Sequence, residues 1–254
     1  MANQFFWHEL MTSDVGAAKA FYGAVVGWDM AAFPGALHDY TLLEVGETRG
    51  VGGIMAIPED ACAQGLKPCW VGYIEVSDID AKVAELRAAG GTVHKGPELI
   101  PTVGRFAVVS DPQGTMFNLL QPEGSGMPPL ERGTIGKVDW NELHSTGWES
   151  GFAFYAKLFG WSKTSAMDMG PMGTYQLFTM AGDGDDGGMM NESDGPVPYW
   201  MFYISVDAAD AAVERITGNG GQVMMGPHEV PGGAWIVVGR DPQGAAFALV
   251  APKR

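Results

Sequence analysis

The chain has 254 residues, 46% of them hydrophobic and 18% charged, and its 15 Lys and Arg against 30 Asp and Glu leave a formal net charge of -15. This composition supports a sizeable apolar core and excludes a disordered polymer, while the acidity disfavours nucleic acid and anionic membranes as partners. No apolar run approaches the roughly 18 residues of a membrane span, and Met1-Ala2-Asn3-Gln4 lacks the basic and apolar regions of a signal peptide, so a cytoplasmic protein of about two domains is expected.

In chain order, residues 5–12 alternate as a strand, and Asp14 stands as the N-cap of an Ala-rich amphipathic stretch ending near Gly27. Three short strands follow: near Ala31, from about His38 to Val45, and from about Gly50 to Ile57. Cys62 and Cys69, seven positions apart in what reads as an inter-module loop, have neither CxxC spacing nor a disulfide framework and are expected to be free thiols. Trp70 to Val76 alternates again, Asp78 or Asp80 caps a helix through Ala89, and Gly90-Gly91 stops it with a left-handed C-cap. Strands near Thr92, Phe106 and Met116 complete the set, with Asp111-Pro112-Gln113-Gly114 as the hairpin turn between the last two.

The second half repeats the first. Trp7-His8-Glu9-Leu10 returns as Trp140-Asn141-Glu142-Leu143, Phe21-Tyr22 as Phe154-Tyr155 and Gly27-Trp28 as Gly160-Trp161, all 133 residues later. Gly52-Gly53-Ile54-Met55 returns as Gly187-Gly188-Met189-Met190 at 135, and Trp70, Gly90-Gly91 and Asp111-Pro112-Gln113-Gly114 return at 130. Drift of this kind is what loop insertions and deletions around fixed elements produce. Each half thus reads as βαβββ twice. The expected architecture is α+β, with four modules making two fused units, residues 1–125 and 134–254, joined by a Gly- and Pro-rich linker at 126–133.

These residues resemble the vicinal oxygen chelate superfamily, which includes glyoxalase I, bleomycin-resistance proteins and extradiol dioxygenases. The resemblance is carried by Asp14 with Phe21-Tyr22, Gly27-Trp28, Val76-Ser77-Asp78, Gly90-Gly91 and Asp111-Pro112-Gln113-Gly114; the second half has Gly147 in place of Asp14. It implies a curved mixed sheet around a pocket in each unit. The tandem arrangement with its Trp-x-Glu-Leu start resembles bacterial proteins described as lactoylglutathione-lyase-related. In metal-using members, ligands stand on the first, fourth, fifth and eighth strands of a unit. Here the corresponding positions are Trp7, Gly53 or Met55, Val71 and Asn118, then Trp140, Gly188 or Met190, Met201 and Ala248. None is a good ligand for a hard divalent cation, so neither a metal nor another cofactor is expected.

Strand alternation places Trp7, Glu9 and Met11 on one face and His8 and Leu10 on the other. The same parity assembles a first pocket from Trp7, Glu9, Tyr73, Glu75 and Asn118, and a second from Trp140, Glu142, His144, Tyr203 and Ser205. Aromatic walls with a few convergent polar groups suit a small molecule. Glu9 and Glu142 are the candidate general bases, since burial raises a carboxylate pKa; alternatively each sits in water at a strand end or accepts a hydrogen bond from a tyrosine. No histidine recurs between the halves: His8 is matched by Asn141 and His144 by Met11.

Two functions follow from these residues. One is a binding protein similar to the bleomycin-resistance branch, which holds a small, partly aromatic or hydrophobic molecule in metal-free pockets. The other is a glyoxalase-related lyase or isomerase, or a dioxygenase, with Glu9 or Glu142 as base or with an unrecognised metal set such as His8 with Glu9 or Glu75. Fusion of two units makes either a monomer or a homodimer the expected state.

Overall fold

The computed structural model describes residues 3–33, 39–46, 49–124, 130–180, 182, 184–191 and 197–254. The first module runs β1 (Phe5–Thr12), α1 (Val15–Val25), β2 (Asp29–Ala32), β3 (Tyr40–Val45) and β4 (Arg49–Ala56), followed by a short α2 (Glu59–Ala63). The second comprises β5 (Cys69–Glu75), α3 (Ile79–Ala88), β6 (Thr92–Ile100), β7 (Gly104–Ser110) and β8 (Met116–Pro122). The third holds β9 (Val138–Ser145), α4 (Trp148–Phe159), β10 (Ser162–Asp168), a 3-10 turn at Gly170–Met172, β11 (Thr174–Thr179) and β12 (Gly187–Asn191). The fourth holds β13 (Tyr199–Ser205), α5 (Ala209–Gly218), β14 (Gln222–Glu229), β15 (Trp235–Arg240) and β16 (Ala246–Ala251). The fold is therefore α+β, four βαβββ modules in two eight-stranded mixed sheets, ordered β2-β3-β4-β1-β5-β8-β7-β6 and β10-β11-β12-β9-β13-β16-β15-β14. No helix among the described residues is long and apolar enough to cross a membrane.

The drift of the repeat now has locations. Tyr40 and Tyr175 already stand 135 apart, so the two residues gained by the second half lie before β11, in the stretch that contains the 3-10 turn. The fall to 130 follows β4, where the first half carries α2. Cys62 lies in α2 and Cys69 opens β5, so neither is in an irregular loop; both are free. His38 and residues 126–129 of the expected linker lie outside the described residues.

The chain packs into two compact units, each made of two modules. One contains residues 7–71, 129–139 and 202–254. Its core is built on α1, which buries Ala18, Phe21, Tyr22 and Val25 at helical spacing, and on α5, which buries Ala209, Ala212 and Ile216. Leu10, Leu43, Ile54, Ile204, Phe247 and Leu249 complete it from the strands. Arg215 Nε ties α5 to α1 by donating to the Val25 carbonyl at 2.9 Å.

The other unit contains residues 1–6, 72–128 and 140–201. Here α4 presents Phe154, Tyr155, Leu158 and Phe159 to the interior, and Trp161 stacks on Tyr155 and Phe178 with ring centroids 5.1 and 5.0 Å apart. Lys82 on α3 donates to the Leu158 carbonyl at 2.7 Å.

A three-residue clasp recurs in both units. Trp70 Nε1 donates to Tyr22 Oη at 3.0 Å, and Tyr22 donates to Asp241 Oδ2 at 3.2 Å. Likewise Trp200 Nε1 donates to Tyr155 Oη at 3.0 Å, and Tyr155 to Asp111 Oδ2 at 3.3 Å. The same aspartates accept the amides of their own turns through Oδ1: Gln113 and Thr115 for Asp111, Gln243 and Ala245 for Asp241. The Asp-Pro-Gln-Gly turn is thus pinned to a helix of another module by a buried tyrosine. Burial, followed by the adjacent aspartate charge, holds both tyrosine hydroxyls far from ionising.

Helix starts show how the halves diverged. Asp14 caps α1 by accepting from the Ala17 amide at 2.9 Å, and Asp78, not Asp80, caps α3 by accepting from Ala81. Gly147 has no side chain to offer α4. The amide of Trp148, the first residue of α4, donates instead to Asn191 Oδ1 at 2.8 Å, and Gln113 braces the lead-in to the helix: its Oε1 accepts from Ser145 Oγ and the Thr146 amide, and its Nε2 donates to the Gly147 carbonyl and Ser150 Oγ. Gln243 has no such duty, and its Oε1 is buried without a hydrogen-bond partner among the described residues.

Candidate functional site

Along β1, Leu10 packs into the core with Phe21 and Tyr22 of α1, so alternation turns Trp7, Glu9 and Met11 to the opposite face of the sheet. Strand pairing sets Glu9 beside Gly53 and Met11 beside Met55 on β4, with Leu42 and Tyr40 of β3 next in line. Tyr40 lies over Gly53: a Cβ at that position would collide with the phenol ring. The absent side chain lets the ring cross a strand, and Trp7 Nε1 donates to its hydroxyl at 2.9 Å. Glu9 is 5% exposed. Next to it, burial and the Glu9 charge push the Cys69 thiol up to about 11.

The third module builds the same face. Glu142 lies beside Gly188 and His144 beside Met190, while Leu177 and Tyr175 follow on β11. A Cβ at Gly188 would collide with the Tyr175 ring. Trp140 Nε1 donates to Tyr175 Oη at 2.9 Å, and Tyr175 donates to Glu142 Oε2 at 2.6 Å. The other carboxylate oxygen, Oε1, lies 2.7 Å from His144 Nε2. The His144 ring stacks on Tyr199, centroids 4.5 Å apart and planes 8° from parallel. Burial first, then the Glu142 charge, drives the Tyr175 hydroxyl far above its ordinary range, so it acts as a neutral donor.

The remaining site candidates are placed as follows. Tyr73 and Asn118 are both buried and face each other across the β5–β8 pairing, with Glu75 opposite Leu120. Asn118 Oδ1 is buried without a hydrogen-bond partner among the described residues. In the fourth module Tyr203 faces Ala248, and the Ser205 hydroxyl donates to Asp139 at 2.5 Å. His8 lies edge-on to Phe202 at 4.6 Å. Tyr40, Tyr175 and Tyr199 were not among the sequence candidates. The available signal was Gly52-Gly53 returning as Gly187-Gly188 in step with Tyr40 and Tyr175, both pairs 135 apart.

The residues do not fit the metal centre of metal-using relatives. The first-strand indoles offer only N–H groups and spend them on tyrosine hydroxyls. The fourth-strand glycines are overlaid by those same tyrosine rings, and the fifth-strand positions are buried Val71 and Met201. No group of three or more His, Cys, Asp or Glu among the described residues is placed to hold a metal ion.

This fold and this pattern of residues define a glyoxalase-type protein. The profile of the Glyoxalase/Bleomycin resistance protein/Dioxygenase superfamily matches residues 4–119 and 146–249, and the chain belongs to that superfamily. It is 34% identical to the Mycobacterium tuberculosis protein named "Putative glyoxylase CFP32", over 97% of this chain and 94% of that one. It is 28% identical to the anthracycline biosynthesis protein DnrV of Streptomyces peucetius, over 96% of this chain and 91% of that one. Among solved structures, the Mn(II)-bound glyoxalase from Novosphingobium aromaticivorans superposes with a TM-score of 0.70 at 16% identity, covering 99% of this chain and 82% of its own. Homoprotocatechuate 2,3-dioxygenase from Brevibacterium fuscum gives 0.70 at 14% identity, covering 98% and 80%. At these identities the structural likeness speaks for the fold alone.

Proposed function

We propose that the faces carrying Trp7, Tyr40 and Glu9 and carrying Trp140, Tyr175 and Glu142 each bind a small, partly aromatic or hydrophobic molecule without a metal ion. The observation that supports this most directly is the duplicated glycine, which admits a tyrosine ring over the fourth-strand position while a tryptophan holds the hydroxyl. What results is a rigid aromatic surface with one buried carboxylate, the composition of an organic-ligand site. The relationship to a protein named for anthracycline biosynthesis agrees with a planar ligand.

The test is elemental analysis of protein purified without chelator, with thermal shifts in Ni, Zn, Mn and Fe(II) and with planar aromatic compounds. A ligand that binds only the native state raises the melting temperature. Stabilisation by organic compounds and none by metals is the expected result; near one equivalent of metal with a clear shift overturns the reading.

A second reading is a glyoxalase-related lyase or isomerase using Glu9 or Glu142 as base. The pairing of Glu142 with His144 favours it in the second half. On this reading Glu9→Gln or Glu142→Gln abolishes turnover and leaves ligand affinity within a few-fold.

A further inference from the structure

Three side-chain amides are buried among the described residues: Asn118, Asn141 and Gln176. Two of them hold backbone. Asn141 Nδ2 donates to the Asp186 carbonyl at 3.0 Å, and Gln176 Nε2 donates to the carbonyls of Ser165 and Leu177, each at 2.9 Å. On the strand that carries Asn118, the half-buried Gln121 also has a task, since its Oε1 accepts the amide of Ile79 at the start of α3 at 3.0 Å. The Asn118 side chain makes no hydrogen bond among the described residues, although only 4% of the residue is exposed. A buried polar group without a partner costs stability, so its presence calls for a reason other than folding.

The repeat supplies the comparison. Tyr73 faces Asn118 across the β5–β8 pairing, while Tyr203 faces the fully buried Ala248 across β13–β16. The same strand register is therefore built with an apolar residue in that place, and the fold does not require the carboxamide. Alternation gives its direction. Phe117 and Leu119 are fully buried, and Phe117 packs against Tyr155 and Phe159 of α4. Asn118 and Leu120 thus point to the opposite face of the sheet, together with Tyr73 and Glu75 on β5 and Val108 on β7.

We propose, building on the small-molecule reading above, that Asn118 anchors a neutral carbonyl compound, a ketone or an amide, on this face of the first half. Asn118 Oδ1 is closed off from the surface, so the amide N–H is the end that a ligand meets, and an N–H needs an acceptor. A carbonyl oxygen supplies one. A carboxylate is disfavoured there by Glu75 on the same face and by the net charge of -15. The matching face of the second half, with Ala248, has no such donor and no preference for a carbonyl.

The experiment titrates the full chain with two probes of one shape, followed by ligand-detected NMR. 1-Indanone is a flat bicycle with a ring carbonyl; indane carries a methylene in its place. Wild-type protein is expected to bind 1-indanone about five-fold more tightly than indane, the contribution of one hydrogen bond. Asn118→Leu, of similar size, and Asn118→Ala, the residue the second half itself carries, should each abolish that preference and leave indane binding within about two-fold. Circular dichroism confirms that the variants are folded, and either one suffices. Equal binding of the two probes by wild-type protein, or a preference that survives the substitutions, overturns the anchor and leaves the small-molecule reading intact. If neither probe binds, both fail.

Discussion

The Tyr175 ring lies over Gly188 on the neighbouring strand, in space that any side chain at residue 188 would claim. Gly188→Ala must therefore push the ring off Trp140 and Glu142 or bend the strand. Overpacking of this kind costs about 1–3 kcal/mol, and the same is expected of Gly53→Ala beneath Tyr40. Urea unfolding monitored by tryptophan fluorescence measures it. A neutral effect at both sites would mean the rings move aside freely, and the rigid aromatic surface would be lost as an argument.

Removing the Tyr175 hydroxyl takes one hydrogen bond from the Trp140 N–H and one from Glu142 Oε2. Tyr175→Phe should destabilise the protein by roughly 1–3 kcal/mol, more than the loss of an exposed hydrogen bond. Equilibrium urea titration of the two proteins gives the difference directly.

Gln113 braces the turn that leads into α4, across 34 residues of chain from Gly147, through bonds to Ser145, Thr146, Gly147 and Ser150. Gln113→Ala is expected to cost about 1–2 kcal/mol through its lost hydrogen bonds to the lead-in of α4, whereas Gln243→Ala should be close to neutral. Adding Gly147→Asp to Gln113→Ala should return about 1 kcal/mol by giving α4 the side-chain N-cap it lacks. The Gly147 backbone, with φ of -170°, is extended, and a Cβ there meets only Ser150 Oγ at 3.3 Å and Gln113 Nε2 at 3.8 Å. Melting temperatures of the four proteins test the set.

Burial holds the Asp241 carboxyl above its ordinary pKa, against the pull of its turn amides and the Tyr22 hydroxyl. The folded chain therefore keeps this proton more tightly than the unfolded chain. That contribution to stability is complete below the usual carboxylate range and is lost as pH rises through the raised folded value. Asp241→Asn should consequently lose least, relative to wild type, at the upper end of that window. Urea midpoints of both proteins across the acid range reveal the slope; a difference growing with pH would contradict the sign.

The two thiols should react at different rates. Cys62 is exposed, while burial and Glu9 push Cys69 up to about 11, leaving little thiolate at neutral pH. Titration with a chromogenic disulfide is expected to show one fast and one slow phase. Glu9→Gln removes the neighbouring charge, lowers the Cys69 pKa and accelerates the slow phase only.

Much of this protein is written in short stretches of its sequence. The alternation in residues 5–12, the Asp14 and Asp78 caps, the glycine stops and the Asp-Pro-Gln-Gly turns are local signals, because strand parity, capping and turn hydrogen bonds act over a few residues. Their return in the second half was enough to define four βαβββ modules and to put Trp7 with Glu9, and Trp140 with Glu142, on one strand face each. What only the tertiary structure decided is which distant residues complete those faces. Tyr40 reaches Trp7 and Tyr175 reaches Glu142 across 33 residues of chain, by a route open only because the strand between carries glycine. Gln113 braces the lead-in to α4 from another module, and Tyr22 finds Asp241 from 219 residues away. Such contacts depend on strand order and on how modules pack, which side-chain periodicity does not encode.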